Sequence, residues 1–272
     1  MRGQANRGIE RVLALDEKTG KILWTREWET NYTGIMDTTA HGPRAAPTVD
    51  GDRVYTVGTK GLLHCLNVRT GEVIWKKDFV ADYGTSVPVW GMTGAPLVDG
   101  NLLLTLVGGE NNARVVAFDK LTGKEVWRAL PTDSEPGYGR PLLVEYGETR
   151  QIIIWHAYGV ASLEPKTGKL YWDHPFHEIQ SQSFAGPVLG GSLLFVSTFH
   201  NGSMMMELDK QKPASKVLWK ASPDANEVSS EALHAGFITP SWTVTTSTAS
   251  APSVNCAACG RGPGSASGKL SR

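Results

Sequence analysis

The chain has 272 residues, 40% of them hydrophobic and 20% charged, a composition that suits one large or two ordinary globular domains. Its 27 basic and 27 acidic residues cancel, which removes the electrostatic footprint that DNA, RNA or an anionic membrane surface would require. No apolar run approaches the roughly 18 to 20 residues of a membrane-spanning helix, the opening MRGQANRGIERV lacks the apolar stretch of an intact secretory signal, and three cysteines cannot build a disulfide framework.

In chain order, the first element is a hairpin, RVLALDEKTGKILW at 11–24. Alternating Val12, Leu13 and Leu15 make a half-buried strand, Asp16 offers the turn N–H groups an acceptor, and Thr19-Gly20 places glycine where the turn needs positive φ. A paired apolar run follows at 45–58, opened by a proline and turned at Asp50-Gly51, and then the hairpin recurs as LLHCLNVRTGEVIW at 62–75. The same two-part unit returns at 94–108 with 114–127, at 140–156 with 159–172, and at 185–200 with 203–219. Thr70-Gly71, Thr122-Gly123 and Thr167-Gly168 keep the turn, whereas the last copy substitutes Pro213, Ala214 and Ser215 and requires a longer one. The closing tryptophans, Trp24, Trp75, Trp127, Trp172 and Trp219, are spaced by 51, 52, 45 and 47 residues. Each full unit is therefore predicted to be four antiparallel strands, and such units pack face to face around an axis because one sheet cannot bury both faces alone. The predicted fold class is all-β: a β-propeller with an incomplete ring of about four full blades plus partial ones.

The pattern of strand, Asp, two variable residues, Thr-Gly and a Trp four residues later resembles the quinoprotein-like (pyrroloquinoline-quinone-like) β-propeller repeat over residues 9–240. That repeat occurs in quinoprotein alcohol dehydrogenases, in the outer-membrane assembly lipoprotein propeller and in many secreted bacterial proteins. WD40, the competing propeller, has a period of about 40–45 residues, shorter than most spacings here. The resemblance implies that Trp24, Trp75, Trp127, Trp172 and Trp219 dock between blades. It also implies a periplasmic or secreted location, and a ring of seven or eight blades whose missing blades are partners of this chain. An open ring would expose flat sheet faces and edges, an aggregation liability.

A further blade is expected to start near Thr239 and Pro240. Instead 20 of the 32 residues at 241–272 are Ser, Ala, Gly or Thr, a segment with too little apolar surface to offset its ordering entropy. Reading its codons one base earlier forces aspartate at slot 243 and leucine at slot 256, matching Asp50 and Leu63 at a constant shift of 193, and permits Thr-Gly and Trp at slots 263, 264 and 268. The expectation is a propeller at 1–240 followed by a frameshifted, disordered tail; the alternative is a natural disordered linker. On the frameshift reading the Cys256-x-x-Cys259 pair is an artefact rather than a redox or zinc motif. Without the tail, 24 basic face 27 acidic residues, which still argues against nucleic acid.

Function in a propeller concentrates on the loops entering each innermost strand, which converge on the central channel. These loops supply His41, Arg44, Trp90, Met92, Tyr138, Arg140, Gln182, Ser183, Glu231 and His234, ahead of Pro47, Pro96, Pro141, Pro187 and Pro240. Arginines and aromatics facing one channel suit an anionic or planar ligand; solvated rim and inter-blade packing are the alternative. The leading expectation is a non-catalytic module binding a protein, peptide or glycan at its loop face. The alternative is a fragment of a quinone-dependent alcohol or sugar dehydrogenase, which the resemblance would furnish with pyrroloquinoline quinone and calcium; a sensor domain of a longer protein is a third. The sequence has no adjacent Cys-Cys, and Asp37, Asp82, Asp133, Glu135, Glu178 and Glu231 show no spacing of a calcium cage. No cofactor or metal site is predicted; His156 with His200, or His174 with His177, would be the pairs to examine.

Overall fold

A computed structural model describes residues 7–36, 42–132, 135–176, 183–198 and 202–221. A two-stranded sheet, β1 (Arg7–Leu15) and β2 (Ile22–Asn31), comes first. Four four-stranded antiparallel sheets follow. The first blade is β3 (Thr48–Asp50), β4 (Arg53–Val57), β5 (Leu62–Asn67) and β6 (Val73–Asp78). The second is β7 (Leu97–Asp99), β8 (Leu102–Gly109), β9 (Ala113–Asp119) and β10 (Glu125–Ala129). The third is β11 (Leu142–Tyr146), β12 (Thr149–His156), β13 (Gly159–Leu163) and β14 (Leu170–Pro175), and the fourth β15 (Val188–Gly190), β16 (Leu193–Ser197), β17 (Ser203–Leu208) and β18 (Ser215–Ala221). Innermost strand β3 lies beside β7 and β7 beside β11, so the sheets succeed one another as blades in an arc. Among the described residues they do not close into a ring.

Turn chemistry explains the strand boundaries. Asp16 Oδ1 accepts the Thr19 N–H at 2.8 Å and the Thr19 hydroxyl at 2.7 Å, and Asp119 treats Thr122 in the same way. Gly20, Gly71, Gly123 and Gly168 follow at φ between 68° and 72°, the left-handed region that glycine enters without a Cβ penalty. In the fourth blade Asp209 Oδ1 accepts from the Gln211 and Lys212 N–H groups while its own N–H donates to Ala214 O, the longer turn its sequence demands. One element escapes the repeat pattern: α1 (Phe79–Tyr83), a single turn capped by the Asp78 carboxylate and stopped by left-handed Gly84, opens the connection into β7.

The joints between blades hold the core. Trp24 lies over Gly71 of the next blade and donates its indole N–H to Val68 O at 2.9 Å; Trp75 over Gly123 donates to Lys120 O at 3.2 Å; Trp127 over Gly168 donates to Pro165 O at 3.2 Å. Trp172 differs in its hydrogen bond. Its ring still packs against the third-to-fourth cluster, but its N–H goes to Gln151 Oε1 of its own blade at 3.0 Å, while the carbonyl equivalent to Val68 O, Lys210 O, accepts the Glu148 N–H at 3.1 Å. Trp219 packs on Phe195 of its own blade, 6.1 Å between ring centroids. Between the tryptophans the sheet faces interdigitate, with Tyr55, Leu63, Cys65, Leu103 and Phe118 filling the first-to-second joint and Leu104, Val115, Ile152, Ile154 and Leu163 the second-to-third. Each such side chain contributes roughly 1.5–3 kcal/mol of burial. A buried carboxylate, Glu10, closes the joint between the hairpin and the first blade, accepting from the Trp28 indole N–H at 2.9 Å, the Thr59 N–H at 2.9 Å and the Tyr32 hydroxyl at 3.3 Å.

Candidate functional site

Because every blade is antiparallel, its two hairpin turns fall on one face, and the β-to-β loop inside the blade falls on the other with the connection to the next innermost strand. That second face carries the loop residues singled out from the sequence. Trp90 precedes β7, Tyr138 precedes β11 and Phe184 precedes β15, and the three rings meet. Their centroids are 5.7 Å (Trp90 to Tyr138), 5.5 Å (Trp90 to Phe184) and 4.9 Å (Tyr138 to Phe184) apart, tilted or edge-on as ring quadrupoles favour. Tyr138 is 3% exposed and Phe184 45%, so the cluster is rooted in protein and open at one side.

Polar contacts fix the roots. The Tyr138 hydroxyl donates to Glu135 Oε2 at 2.9 Å, the Val89 N–H donates to Glu135 Oε1 at 3.2 Å, and the Thr93 hydroxyl donates to Tyr138 O at 2.7 Å. Burial raises the Tyr138 hydroxyl pKa, the negative charge of Glu135 raises it further, and the nearby charge of Arg44 opposes the rise. The tyrosine is therefore a neutral donor, not a base. Arg44 is half-buried and Arg140 exposed. Ser183 is fully buried and its Oγ receives the Tyr138 N–H at 3.4 Å, an arrangement that spaces two loops rather than presenting a nucleophile. Met92 is buried, with its N–H donating to Thr59 O. His41, Gln182, Glu231 and His234 lie outside the described residues, as do His177, His200 and the whole of 241–272.

Three participants were not singled out from the sequence. Phe184 stands three residues before Pro187, as Tyr138 does before Pro141, Thr93 before Pro96 and Arg44 before Pro47, and that spacing is a signal that finds it. Arg114 is 1% exposed, its Nε donating to Pro131 O at 2.8 Å and Nη1 to Glu135 O at 3.1 Å, so a buried guanidinium clasps the loop that carries Glu135 and Tyr138. Glu10, at the other buried charge, reads in the sequence as an ordinary strand residue.

His156, at the loop end of β12, is neutral. Burial, and then the charge of Arg114, push its pKa down to about 3. Its Nδ1 accepts the Tyr158 N–H at 3.3 Å, while Asp173 Oδ1 is 4.0 Å from Nε2, too far for a hydrogen bond. The Asp173 carboxyl is itself raised by burial. His174 Nε2 pairs with Ser215 Oγ at 2.7 Å. Among the described residues no three His, Cys, Asp or Glu side chains converge to hold a metal ion. No helix among them is long and apolar enough to cross a membrane.

Four-stranded blades joined by tryptophan-to-glycine contacts, with loops converging on one face, define a quinoprotein-like β-propeller. The chain belongs to the family described as outer membrane protein assembly factor BamB, which matches residues 9–246. It is similar to quinohemoprotein alcohol dehydrogenase ADH-IIG of Pseudomonas putida, 28% identical over 165 residues that make up 60% of this chain and 22% of that protein. It is also similar to quinohemoprotein alcohol dehydrogenase ADH IIB of the same species, 32% identical over 148 residues, 52% of this chain and 21% of that one. Among solved structures, BamB from Moraxella catarrhalis superposes with a TM-score of 0.56 at 20% identity, covering 78% of this chain and 58% of that one. Quinohemoprotein alcohol dehydrogenase from Comamonas testosteroni gives 0.50 at 17%, covering 77% and 40%. The chain spans about a fifth of the length of these two curated dehydrogenases.

Proposed function

We propose that this chain is a non-catalytic propeller module of the bacterial envelope or secreted space that binds a protein, peptide or glycan through its loop face. The observation that supports this reading is the aromatic cluster: three successive blades each deliver one ring to one place, and Phe184 leaves 45% of its surface open beside Trp90. Large rings held rigid at their roots lose little entropy on binding and dominate interface energetics. Arg44, whose charge acts on Tyr138, and exposed Arg140, two residues after Tyr138 in the same loop, are the donors this reading assigns to a partner's carboxylates, carbonyls or hydroxyls. The envelope location comes from the family to which the chain belongs, described as an outer membrane assembly factor.

The test is binding of the purified chain to peptide and glycan arrays, followed by isotherms for the hits with Trp90→Ala and Phe184→Ala. A loss of tenfold or more in affinity in both variants supports the reading; hits indifferent to both substitutions refute it. The second reading, part of a quinone-dependent alcohol or sugar dehydrogenase, draws support from the similarity to the two Pseudomonas putida enzymes. On that reading the catalytic residues stand outside the blades described, and the purified protein binds pyrroloquinoline quinone with calcium and reduces an artificial electron acceptor. The division at 240 into propeller and frameshifted tail belongs to the same proposal. The nucleotide sequence of the source gene tests it: one inserted or deleted base must restore a blade after Pro240.

A further inference from the structure

One surface segment carries a signal that neither the blade pattern nor the aromatic cluster uses. β2 ends at Glu29, Thr30 and Asn31, and the chain runs on through Tyr32 and Thr33. Asn31-Tyr32-Thr33 has the asparagine-x-threonine form that accepts N-linked glycans on exposed segments of secreted proteins. Glu29 adds a carboxylate two residues ahead of the asparagine. Asn201-Gly202-Ser203 shares the form without an acidic residue at that place, and Asn201 lies outside the described residues.

The fold displays the residues that carry this chemistry and anchors the one between them. Glu29, Asn31 and Thr33, at alternate positions, are all exposed. Tyr32 is buried, its ring over Gly8 and its hydroxyl on Glu10 Oε1 at 3.3 Å. Asn31 Oδ1 accepts the Thr33 N–H at 2.9 Å, which closes an Asx turn. The carboxamide oxygen is thereby engaged, and Nδ2 is left facing outward. Two further contacts hold the turn: the Ile35 N–H donates to Tyr32 O at 2.9 Å, and Lys60 Nζ donates to Thr33 O at 3.0 Å. The exposure comes with the strand's place in its blade. β2 corresponds to β6 and β14, the outermost strands of the first and third blades. Lys76 and Asp78, one and three residues after Trp75, and Asp173 and Pro175, one and three after Trp172, are exposed although a sheet stands on either side of each blade. Glu29 and Asn31, five and seven residues after Trp24, continue the same odd-numbered series.

We propose that Asn31 is an N-glycosylation site, modified by a transferase that moves an oligosaccharide from a polyprenyl diphosphate and reads Glu29 and Thr33 as flanking groups. Asn31 Nδ2 attacks the anomeric carbon of the first sugar. The new C–N bond forms as the C–O bond to the diphosphate breaks, the polyprenyl diphosphate leaves with the electron pair, and the amide gives up one proton. The Glu29 carboxylate pairs with a cationic side chain of the transferase, and the Thr33 hydroxyl supplies a hydrogen bond. The modification rests on the envelope or secreted location proposed above and is independent of the aromatic cluster.

The test incubates the folded 272-residue chain with a purified bacterial oligosaccharyltransferase and a polyprenyl-diphosphate-linked oligosaccharide, and reads the mass of the tryptic peptide that carries Asn31. The expected result is one glycan on that peptide. Asn31→Gln and Thr33→Val should abolish transfer, Thr33→Ser should keep it, and Glu29→Gln should lower its rate about tenfold or more. All three side chains are exposed, so the variants should match the parent in urea midpoint, which separates loss of the acceptor from loss of the fold. No transfer to the folded chain, even where a synthetic peptide of residues 27–35 is accepted, overturns the proposal. So does transfer that is indifferent to Thr33→Val and Glu29→Gln. Fractionation of the source cells reads the location by itself: a chain confined to the cytoplasm overturns the location, and modification in the cell with it, even where transfer to the purified chain succeeds.

Discussion

Gly71 and Gly20 form a natural experiment on the blade joint. They share a Thr-Gly turn and a backbone angle, φ 69° and 68°, but Gly71 lies under the Trp24 ring, whereas no atom of the described residues stands within 4 Å of a Gly20 Cβ. An alanine at either position must adopt the left-handed region, which costs roughly 1–2 kcal/mol. At Gly71 the new Cβ would also stand 2.5, 2.8 and 3.1 Å from three Trp24 ring carbons, well inside the carbon–carbon optimum near 3.5–4.0 Å, and overpacking of that kind costs roughly 1–3 kcal/mol more. Gly71→Ala should therefore destabilise by about 2–5 kcal/mol and Gly20→Ala by about 1–2 kcal/mol. Urea unfolding at a concentration where the chain is monomeric gives both values from the midpoints and slopes. In a Trp24→Ala background the clash disappears and the Gly71→Ala effect should fall to that of Gly20→Ala, a coupling the double-mutant cycle reads directly. Equal effects at the two glycines, or no coupling to Trp24, would refute the account of the joint.

Other consequences follow from the buried groups. His156 has a folded-state pKa near 3, pushed down by burial, against about 6.5 in the unfolded chain. The unfolded state then binds the proton first, so the stability His156 contributes is complete above about pH 6.5 and is lost as pH falls toward 3, at up to about 1.4 kcal/mol per pH unit; His156→Gln should flatten the fall in urea midpoint between about pH 6 and 4. His64, pushed down to about 4 by burial and the charges of Lys76 and Arg26, adds a second contribution of the same sign. Glu10→Ala leaves the Trp28, Tyr32 and Thr59 donors without their acceptor and should cost about 2–4 kcal/mol, measured by thermal or urea unfolding. In a Cys256→Ser/Cys259→Ser background, the buried Cys65 thiol, raised to about 11 by burial, should resist a thiol reagent until urea unfolds the chain. Fast labelling in native buffer would contradict its burial in the first-to-second joint.

The blades were legible in the sequence because their determinants are local. Alternation of apolar residues, an acidic or amide side chain before a Thr-Gly turn, and proline ahead of the innermost strand each act within a few residues, and four of the five hairpins keep the Thr-Gly turn. The fifth hairpin was legible as an irregular one for the same reason. Trp90 and Tyr138 were also nameable, since both sit in the loops that enter innermost strands. Ser183, named with them, is enclosed by the loops it separates.

Tertiary structure alone decided the rest. Trp90, Tyr138 and Phe184 come from three different blades and meet only because successive sheets rotate about a common axis, a relation no local pattern encodes. Glu10 and Arg114 look like solvent-facing strand residues, and their burial becomes visible only when the donors of the neighbouring blade or the carbonyls of the next loop surround them. Where a tryptophan's indole N–H goes is decided by residues some 40 positions downstream in another sheet: Trp127 reaches Pro165 O beside Gly168, whereas the matching Lys210 O ahead of Trp172 is taken by the Glu148 N–H. Local turn chemistry determined the strands; the packing of one sheet on the next, which requires the two to be folded and in register, determined the joints, the buried charges and the aromatic face.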